Sequence, residues 1–340
     1  MIYSTVGYKG TVRFGQTATS SMANDAVEFL DYEITDAESY ATVVRGADME
    51  ISQLEPGPLR GHHLRVGLPS GDISWVVTNL PLRGRGRFPS GVWSLSVFTR
   101  TASPSLQHGV EVRPGCPFYH RPGAEHDGIY GRDFSGVCLG MREVPLAETL
   151  RKEFPELSDR LAERWRVYEP AEGKRRELIA QFEQAATILR TDERLRRSSA
   201  AKAVMQDELL AAFLEALAEG ITPPPMLARS PAAALVRRAE KLARESDGRP
   251  LRVGDLCVGC GVPRRTLNHA FQQVLGMGPA TYLRRLRLNQ VRRSLRQPRA
   301  SGEPASVAEI ALDHGFWHPG RFSSQYRELF GESPRESARR

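Results

Sequence analysis

The chain has 340 residues, enough for two domains or three small ones, with 40% hydrophobic and 26% charged residues, an ordinary balance for a globular protein. No run of about 18 apolar residues occurs, so no membrane-spanning helix is expected, and the opening Met1-Ile2-Tyr3-Ser4-Thr5-Val6 has no secretory pattern. Four cysteines are too few for a disulfide framework, which points to a reducing, cytoplasmic setting. The net charge of +7 is unevenly spread: residues 230–340 hold 20 Lys and Arg against 10 Asp and Glu, a net +10, leaving −3 for the rest. Nearly all of that basic charge is arginine, whose planar fork suits phosphates and guanine edges. A solubilising surface would also be basic, so charge alone does not choose.

In chain order, residues 60–140 read as β-rich. Val92-Trp93-Ser94-Leu95-Ser96-Val97-Phe98 alternates apolar and small polar residues, and Gly and Pro punctuate the segment. Trp75, Trp93 and Phe98 are candidates to line an effector pocket, with plain core packing as the alternative. Gly84-Arg85-Gly86-Arg87 reads as a loop. Beyond residue 145 the texture becomes helical, with Leu178, Ile179, Phe182, Ala185, Ala186 and Leu189, then Leu209, Leu210, Phe213, Leu214 and Leu217, at helical spacing. These helices are expected to pack on the first domain or on a second copy of it. Gly220-Ile221-Thr222-Pro223-Pro224-Pro225 cannot be helical throughout and reads as a stiff linker. The domains expected are therefore 1–145 (β-rich), 146–221 (helical, a candidate dimerisation segment), 222–231 (linker) and 232–340 (all-α and basic).

The basic region contains an internal repeat. Leu256 and Gly261 recur as Ile310 and Gly315, and Leu267, Phe271, Gly276 and Pro279 recur as Phe322, Tyr326, Gly331 and Pro334. Each unit reads as helix, turn, helix. In the second, Ser306-Val307-Ala308-Glu309 is a capping box, Gly315 supplies the turn, and a helix from near Pro319 buries Phe322, Tyr326, Leu329 and Phe330. Its outer face carries Arg321, Ser324, Gln325 and Glu328. In the first, Leu267, Phe271, Val274 and Leu275 face inward, and Arg265, Asn268, His269 and Gln272 face outward. A face of Arg, Asn, His and Gln offers the donor and acceptor pairs that a major groove can read; a polar solvent face is the alternative. Between the units, residues 282–296 read as one helix with two apolar patches, Tyr282, Leu283 and Leu286 on one side and Leu288, Val291 and Leu295 on another. Arg285, Asn289, Arg292 and Arg296 form a third stripe. The arginines of this stripe, Arg285, Arg292 and Arg296, are candidates for phosphate contact, with solvated surface charge as the other reading.

These residues resemble the AraC/XylS family of bacterial transcription regulators. The resemblance covers residues 233–338 and rests above all on Ala308-Glu309-Ile310-Ala311, Gly315-Phe316, and the run from Phe322 through Tyr326, Gly331 and Pro334. It implies an α+β protein in which a β-rich, barrel-like N-terminal sensor domain and a helical middle segment precede an all-α domain with two helix-turn-helix units. It further implies two recognition helices in successive major grooves, roughly 34 Å apart. The base-reading candidates are then Arg265, Asn268 and His269, followed by Arg321, Ser324 and Gln325. Pro319-Gly320 departs from the family at the opening of the second recognition helix, which puts direct readout there in question. The partners implied are double-stranded DNA, a small-molecule effector, RNA polymerase if the protein activates, and a second copy of the chain.

Other chemistry finds little support. Cys257-Val258-Gly259-Cys260 supplies two zinc ligands where a structural site needs four. His62, His63, His108, His120 and His126 lack a compact metal-binding pattern, so neither metal nor cofactor is expected. No phosphate-cradling or nucleophile-elbow motif occurs, so no enzymatic activity is expected; the alternative is a cupin-like or repair-type enzyme fused to a DNA-binding domain.

Overall fold

The computed structural model describes residues 29–41, 47–162, 167–220, 231–246, 250–296 and 306–339. The expected linker at 222–231 lies outside these except for Pro231. In chain order the elements are β1 (Phe29–Ile34), α1 (Ala37–Ala41), β2 (Asp48–Gln53), β3 (Gly61–Leu68), β4 (Gly71–Thr78), β5 (Leu82–Arg87), β6 (Val92–Arg100), β7 (Leu106–Gln107), β8 (Val110–Glu111), β9 (Pro117–His120), β10 (Glu125–Tyr130) and β11 (Phe134–Arg142). Helices follow: α2 (Glu143–Glu153), α3 (Pro155–Ala162), α4 (Glu172–Thr191), α5 (Glu193–Arg197), α6 (Ser199–Glu219), α7 (Pro231–Arg244), α8 (Val253–Cys260), α9 (Arg264–Leu275), α10 (Pro279–Arg296), α11 (Val307–Asp313), α12 (Pro319–Phe330) and α13 (Pro334–Ser337).

The strands form two antiparallel sheets, one of six strands in the order β1-β3-β4-β11-β6-β9 and one of five in the order β2-β5-β10-β7-β8. They pack through Ile34, Ile51, Val76, Leu82, Phe98, Phe118 and Phe134 but do not close into a single hydrogen-bonded barrel. The segment Gly84-Arg85-Gly86-Arg87 is part of β5 and pairs with β2 and β10, so the loop expected there is a strand. Its glycines mask the β pattern because a side chain at either would meet a neighbouring strand, Tyr130 and His126 of β10 at Gly84 and the Asp48 backbone of β2 at Gly86. An added Cβ on Gly84 would lie 3.0 Å from the Tyr130 ring.

The alternation in β6 has a specific cause. Trp93, Leu95 and Val97 face the helices, while Ser94, Ser96 and Phe98 face the other sheet. Both faces are buried, so period 2 here separates two interiors rather than core from solvent. On the helical side, α4 and α6 lay Leu178, Phe182, Ala185, Leu189, Phe213 and Leu217 onto Leu64, Val66, Leu95, Val97 and Leu139 of the six-stranded sheet. Their apolar faces are thus covered within the chain. Phe182 and Phe213 are fully buried with ring centroids 6.4 Å apart, contacts of a kind that cost about 3–5 kcal/mol when truncated to Ala.

The C-terminal helices form two small cores around α10. Tyr282, Leu283 and Leu286 join α7, α8 and α9 in one; Leu288, Val291 and Leu295 join α11 and α12 in the other. The two apolar patches expected on this helix therefore serve two different cores.

Candidate nucleic-acid interface and internal cavity

Each C-terminal helix pair is shaped by local chemistry. The Asp255 carboxylate accepts the Arg252 N–H at 2.7 Å, opening α8, and Gly261 (φ 61°) makes the turn into α9. In the second pair, Ser306 Oγ accepts from the Glu309 N–H at 3.3 Å, opening α11, and Gly315 (φ 80°) leads toward α12. Left-handed Gly276 and Gly331 end α9 and α12. The buried faces are Leu267, Ala270, Phe271 and Leu275 on α9, and Phe322, Tyr326, Leu329 and Phe330 on α12. Arg265, Asn268, His269, Arg321 and Ser324 are exposed and Gln325 is half-buried, so the candidates form one polar face on each helix.

The arginine stripe of α10 lies elsewhere. Arg285 donates to the Leu54 carbonyl, and Asn289 clasps the backbone of Gln53, with Gln53 N–H to Oδ1 at 2.9 Å and Nδ2 to Gln53 O at 3.2 Å. Arg292 is only 2% exposed and pairs with Glu332 at 2.9 Å and Glu38 at 3.7 Å. Arg296 pairs with Asp36 at 2.5 Å. All three arginines proposed for phosphate are thus engaged by other protein groups: Arg285 by Leu54, just after β2, Arg296 by Asp36, just before α1, and Arg292 by Glu332 and by Glu38 of α1. Spacing identified a polar stripe but could not say what it faces.

A second contact between the two parts is buried deeper. On β5 and β10, Arg83, Arg85, Asp127 and Ile129 point outward from the five-stranded sheet toward the C-terminal helices. Glu240 of α7, 1% exposed, receives Arg83 through both carboxylate oxygens at 3.1 and 3.0 Å, Arg85 through one, and the Tyr282 hydroxyl at 2.6 Å. Burial alone would raise the Asp127 carboxyl, but Arg83 and Arg85 outweigh it and hold it down at about 2. Burial, with the neighbouring Arg83 guanidinium, pushes Arg85 down to about 9, still protonated at neutral pH. Nothing in the sequence flagged Glu240, a lone acid in a basic helix.

The inner face of the same strands lines a cavity of about 70 Å³ between the sheets. Its walls include Phe88, Phe98, Phe118 and Phe134, and Gln107, His120, His126, Tyr130, Ser74, Ser94 and Ser96 are among its polar members. Of the three aromatics expected there, only Phe98 lines it. Trp93 is buried, and Trp75 half-buried, on the helix-facing side of the six-stranded sheet, one residue out of phase with the cavity-facing Ser74, Val76, Ser94 and Ser96. Burial lowers His126 to about 3, with the nearby His108 adding to the shift, and burial likewise lowers His120. The His120 ring neighbours those of His108 and His126, with centroids 5.5 and 5.4 Å away. Among the described residues, however, no group of three or more His, Cys, Asp or Glu has the arrangement of a metal site, and no helix is long and apolar enough to cross a membrane.

This geometry, two capped helix pairs with exposed polar second helices, defines a helix-turn-helix domain. A family model described as a helix-turn-helix domain matches residues 256–340. Over 75 residues the chain is 41% identical to a XylDLEGF operon transcriptional activator of Pseudomonas putida, covering 22% of this chain and 23% of that protein. Over 107 residues it is 36% identical to a probable thc operon regulatory protein of Rhodococcus erythropolis, covering 31% of each. A solved AraC-type DNA-binding-domain regulator from Chromobacterium violaceum is 35% identical, with 31% of this chain and 90% of that one covered, at a TM-score of 0.29. The chain belongs, through its C-terminal domain, to the AraC/XylS family of transcription regulators. It spans about a quarter to a third of the length of these curated relatives.

Proposed function

We propose that the protein is a sequence-specific, DNA-binding transcription regulator whose two recognition helices, α9 and α12, enter successive major grooves. The observation that carries this reading is the pair of polar faces, Arg265-Asn268-His269 and Arg321-Ser324-Gln325, on corresponding helices of a repeated unit. Residues 232–340 act as the DNA-binding domain, 1–145 as the effector-binding part, 146–221 as its helical cover and 222–231 as the linker. The protein works in the cytoplasm as a homodimer, without enzymatic activity, and contacts RNA polymerase where it activates. Arg285, Arg292 and Arg296 can serve phosphates only when they leave Leu54, Asp36, Glu38 and Glu332.

Selection of random duplexes on the full chain, at about 150 mM salt to damp non-specific attraction, tests the reading. It is expected to enrich two short blocks about 10 base pairs apart. Enrichment of no motif would reduce the basic region to general DNA affinity. Arg265→Ala is expected to relax preference at one base position, at a cost of about 1–3 kcal/mol there. Unchanged discrimination in the same selection would remove Arg265 from the readout.

A further inference from the structure

Helix α10 has 18 residues, a length of about 27 Å, and joins the two helix-turn-helix units. At about 100° per residue, Arg285, Asn289, Arg292, Arg293 and Arg296 gather on one side. That side is occupied: besides the contacts already given, Arg293 pairs with Glu50 at 2.7 Å. Arg287, Gln290 and Ser294 fall on the opposite side, with Arg284 at its margin. The contacts to the N-terminal part therefore leave this second side uncovered.

Its two cations have no anion. Among the described residues no carboxylate pairs with Arg284 or Arg287, and the side chains of Arg284 and Gln290 have no hydrogen-bond partner. Both arginines are half-buried. Arg287 Nε donates to the Leu283 carbonyl at 3.3 Å, and its guanidinium lies over the Phe316 ring at 5.4 Å. Burial, with the Arg284 charge adding to it, holds Arg287 below the usual guanidinium range. Two like charges side by side and partly stripped of water favour an anion placed against them.

Their position says which anion. Phe316 stands between α11 and α12, and the next residue, Trp317, is 74% exposed just before α12 opens. Arg287 is thus beside the N-terminal end of the second recognition helix, on the bridge that connects it to the first. With α9 and α12 in major grooves about 34 Å apart, the DNA facing this bridge is the backbone along the intervening minor groove. A guanidinium fork matches a phosphate, and such contacts fix register without reading sequence.

We propose that Arg284 and Arg287, with Gln290 beside them, form a seat for the DNA backbone phosphates that lie between the two half-sites. The proposal rests on the reading of α9 and α12 as recognition helices and adds the place where the duplex is held between them. Because Arg287 stacks on Phe316, a phosphate bound there also fixes the approach to α12, whose first residues, Pro319 and Gly320, carry no polar side chain.

The test uses the full chain with two duplexes of about 30 base pairs, one carrying the selected motif and one of random sequence. Affinity is titrated between about 50 and 200 mM salt, and the slope of log affinity against log salt counts the phosphates held. Arg284→Gln and Arg287→Gln are each expected to lower that slope by about 1 on both duplexes. Each should weaken binding roughly fivefold at about 150 mM salt and leave the enriched motif unchanged. Arg293→Gln, on the occupied side of α10, should leave the slope as it is. Uncharged methylphosphonates placed between the half-sites should weaken binding by the unaltered chain and have little further effect on the double variant. Should Arg287→Gln fail to fold for want of its contact with Phe316, Arg284→Gln carries the test alone, and Arg287→Lys, which keeps the charge, should keep the slope. Unchanged slopes in the folded glutamine variants would overturn the proposal. So would an altered base preference, which would make these arginines readers of sequence, or an equal methylphosphonate loss with and without them. If selection yields no motif, the random duplex still reports the slope, so failure of the regulator reading and failure of this proposal are distinguishable.

Discussion

Glu240→Ala is expected to destabilise the protein by about 3–5 kcal/mol in urea denaturation at neutral pH, the cost of breaking a buried ion pair from one side. The reason is geometric. Among the described residues Arg85 would keep only Asp127, at 3.9 Å, as an ion-pair partner and would still be crowded by Arg83, while the buried Tyr282 hydroxyl would lose its acceptor. Arg83 retains the Gly128 carbonyl at 2.7 Å and Asp127, so most of the loss falls on Arg85. The double variant Glu240→Leu with Arg85→Leu is then expected to recover much of it, since removing both charges also removes their desolvation cost. As a contrast, Lys241→Ala breaks only the exposed Lys241–Glu245 pair and should shift stability by under about 1 kcal/mol. A loss below about 1 kcal/mol for Glu240→Ala would mean that water reaches the site and the two parts are not packed as described.

Acidification from pH 7.5 to 5 is expected to cost about 4 kcal/mol of unfolding free energy through His63 and His126 together. Burial depresses both to about 3 in the folded protein, against 6.5 when unfolded. Between those values the unfolded chain binds a proton that the folded chain does not. Stability is therefore full above about pH 6.5 and falls by about 1.4 kcal/mol per pH unit per histidine below it. At pH 5 the size of the loss depends only on the unfolded value, provided the folded one lies lower. His120, lowered in the same direction, adds to it. Asp127, held at about 2, contributes only at lower pH, and Glu38, raised chiefly by burial, opposes weakly. Urea titrations at the two pH values check this, and His126→Phe should remove about half of the two-histidine loss. A pH-independent midpoint would show the histidines to be hydrated.

The buried faces of α9 and α12 were legible because they depend on helical period and on turn glycines, both local properties. A repeat of Leu, Phe, Gly and Pro leaves few choices for which helix face is buried, and Leu267, Phe271, Phe322 and Tyr326 are where that pattern places them. Strand β6 shows the limit of the same method. Its alternation located two faces correctly, yet it could not say that both are interior, so Trp93 was set against the cavity when Ser94 and Ser96 face it. In β5, Gly84, which makes room for His126 and Tyr130, and Gly86, which lies against the Asp48 backbone, look like loop residues until the partner strands are known.

The amino-acid sequence by itself determined the buried faces and turn glycines of the C-terminal helices, the basic character of residues 230–340 and the two apolar faces of α10. Each follows from periodicity, capping and composition within a few turns of chain. Only the tertiary structure decided that α4 and α6 cover the six-stranded sheet, that the α10 arginines face Asp36, Glu38 and Leu54, and that Glu240 is buried between Arg83 and Arg85. Those contacts join residues as many as 260 positions apart, and a charge or an apolar stripe carries no local mark of what will lie against it.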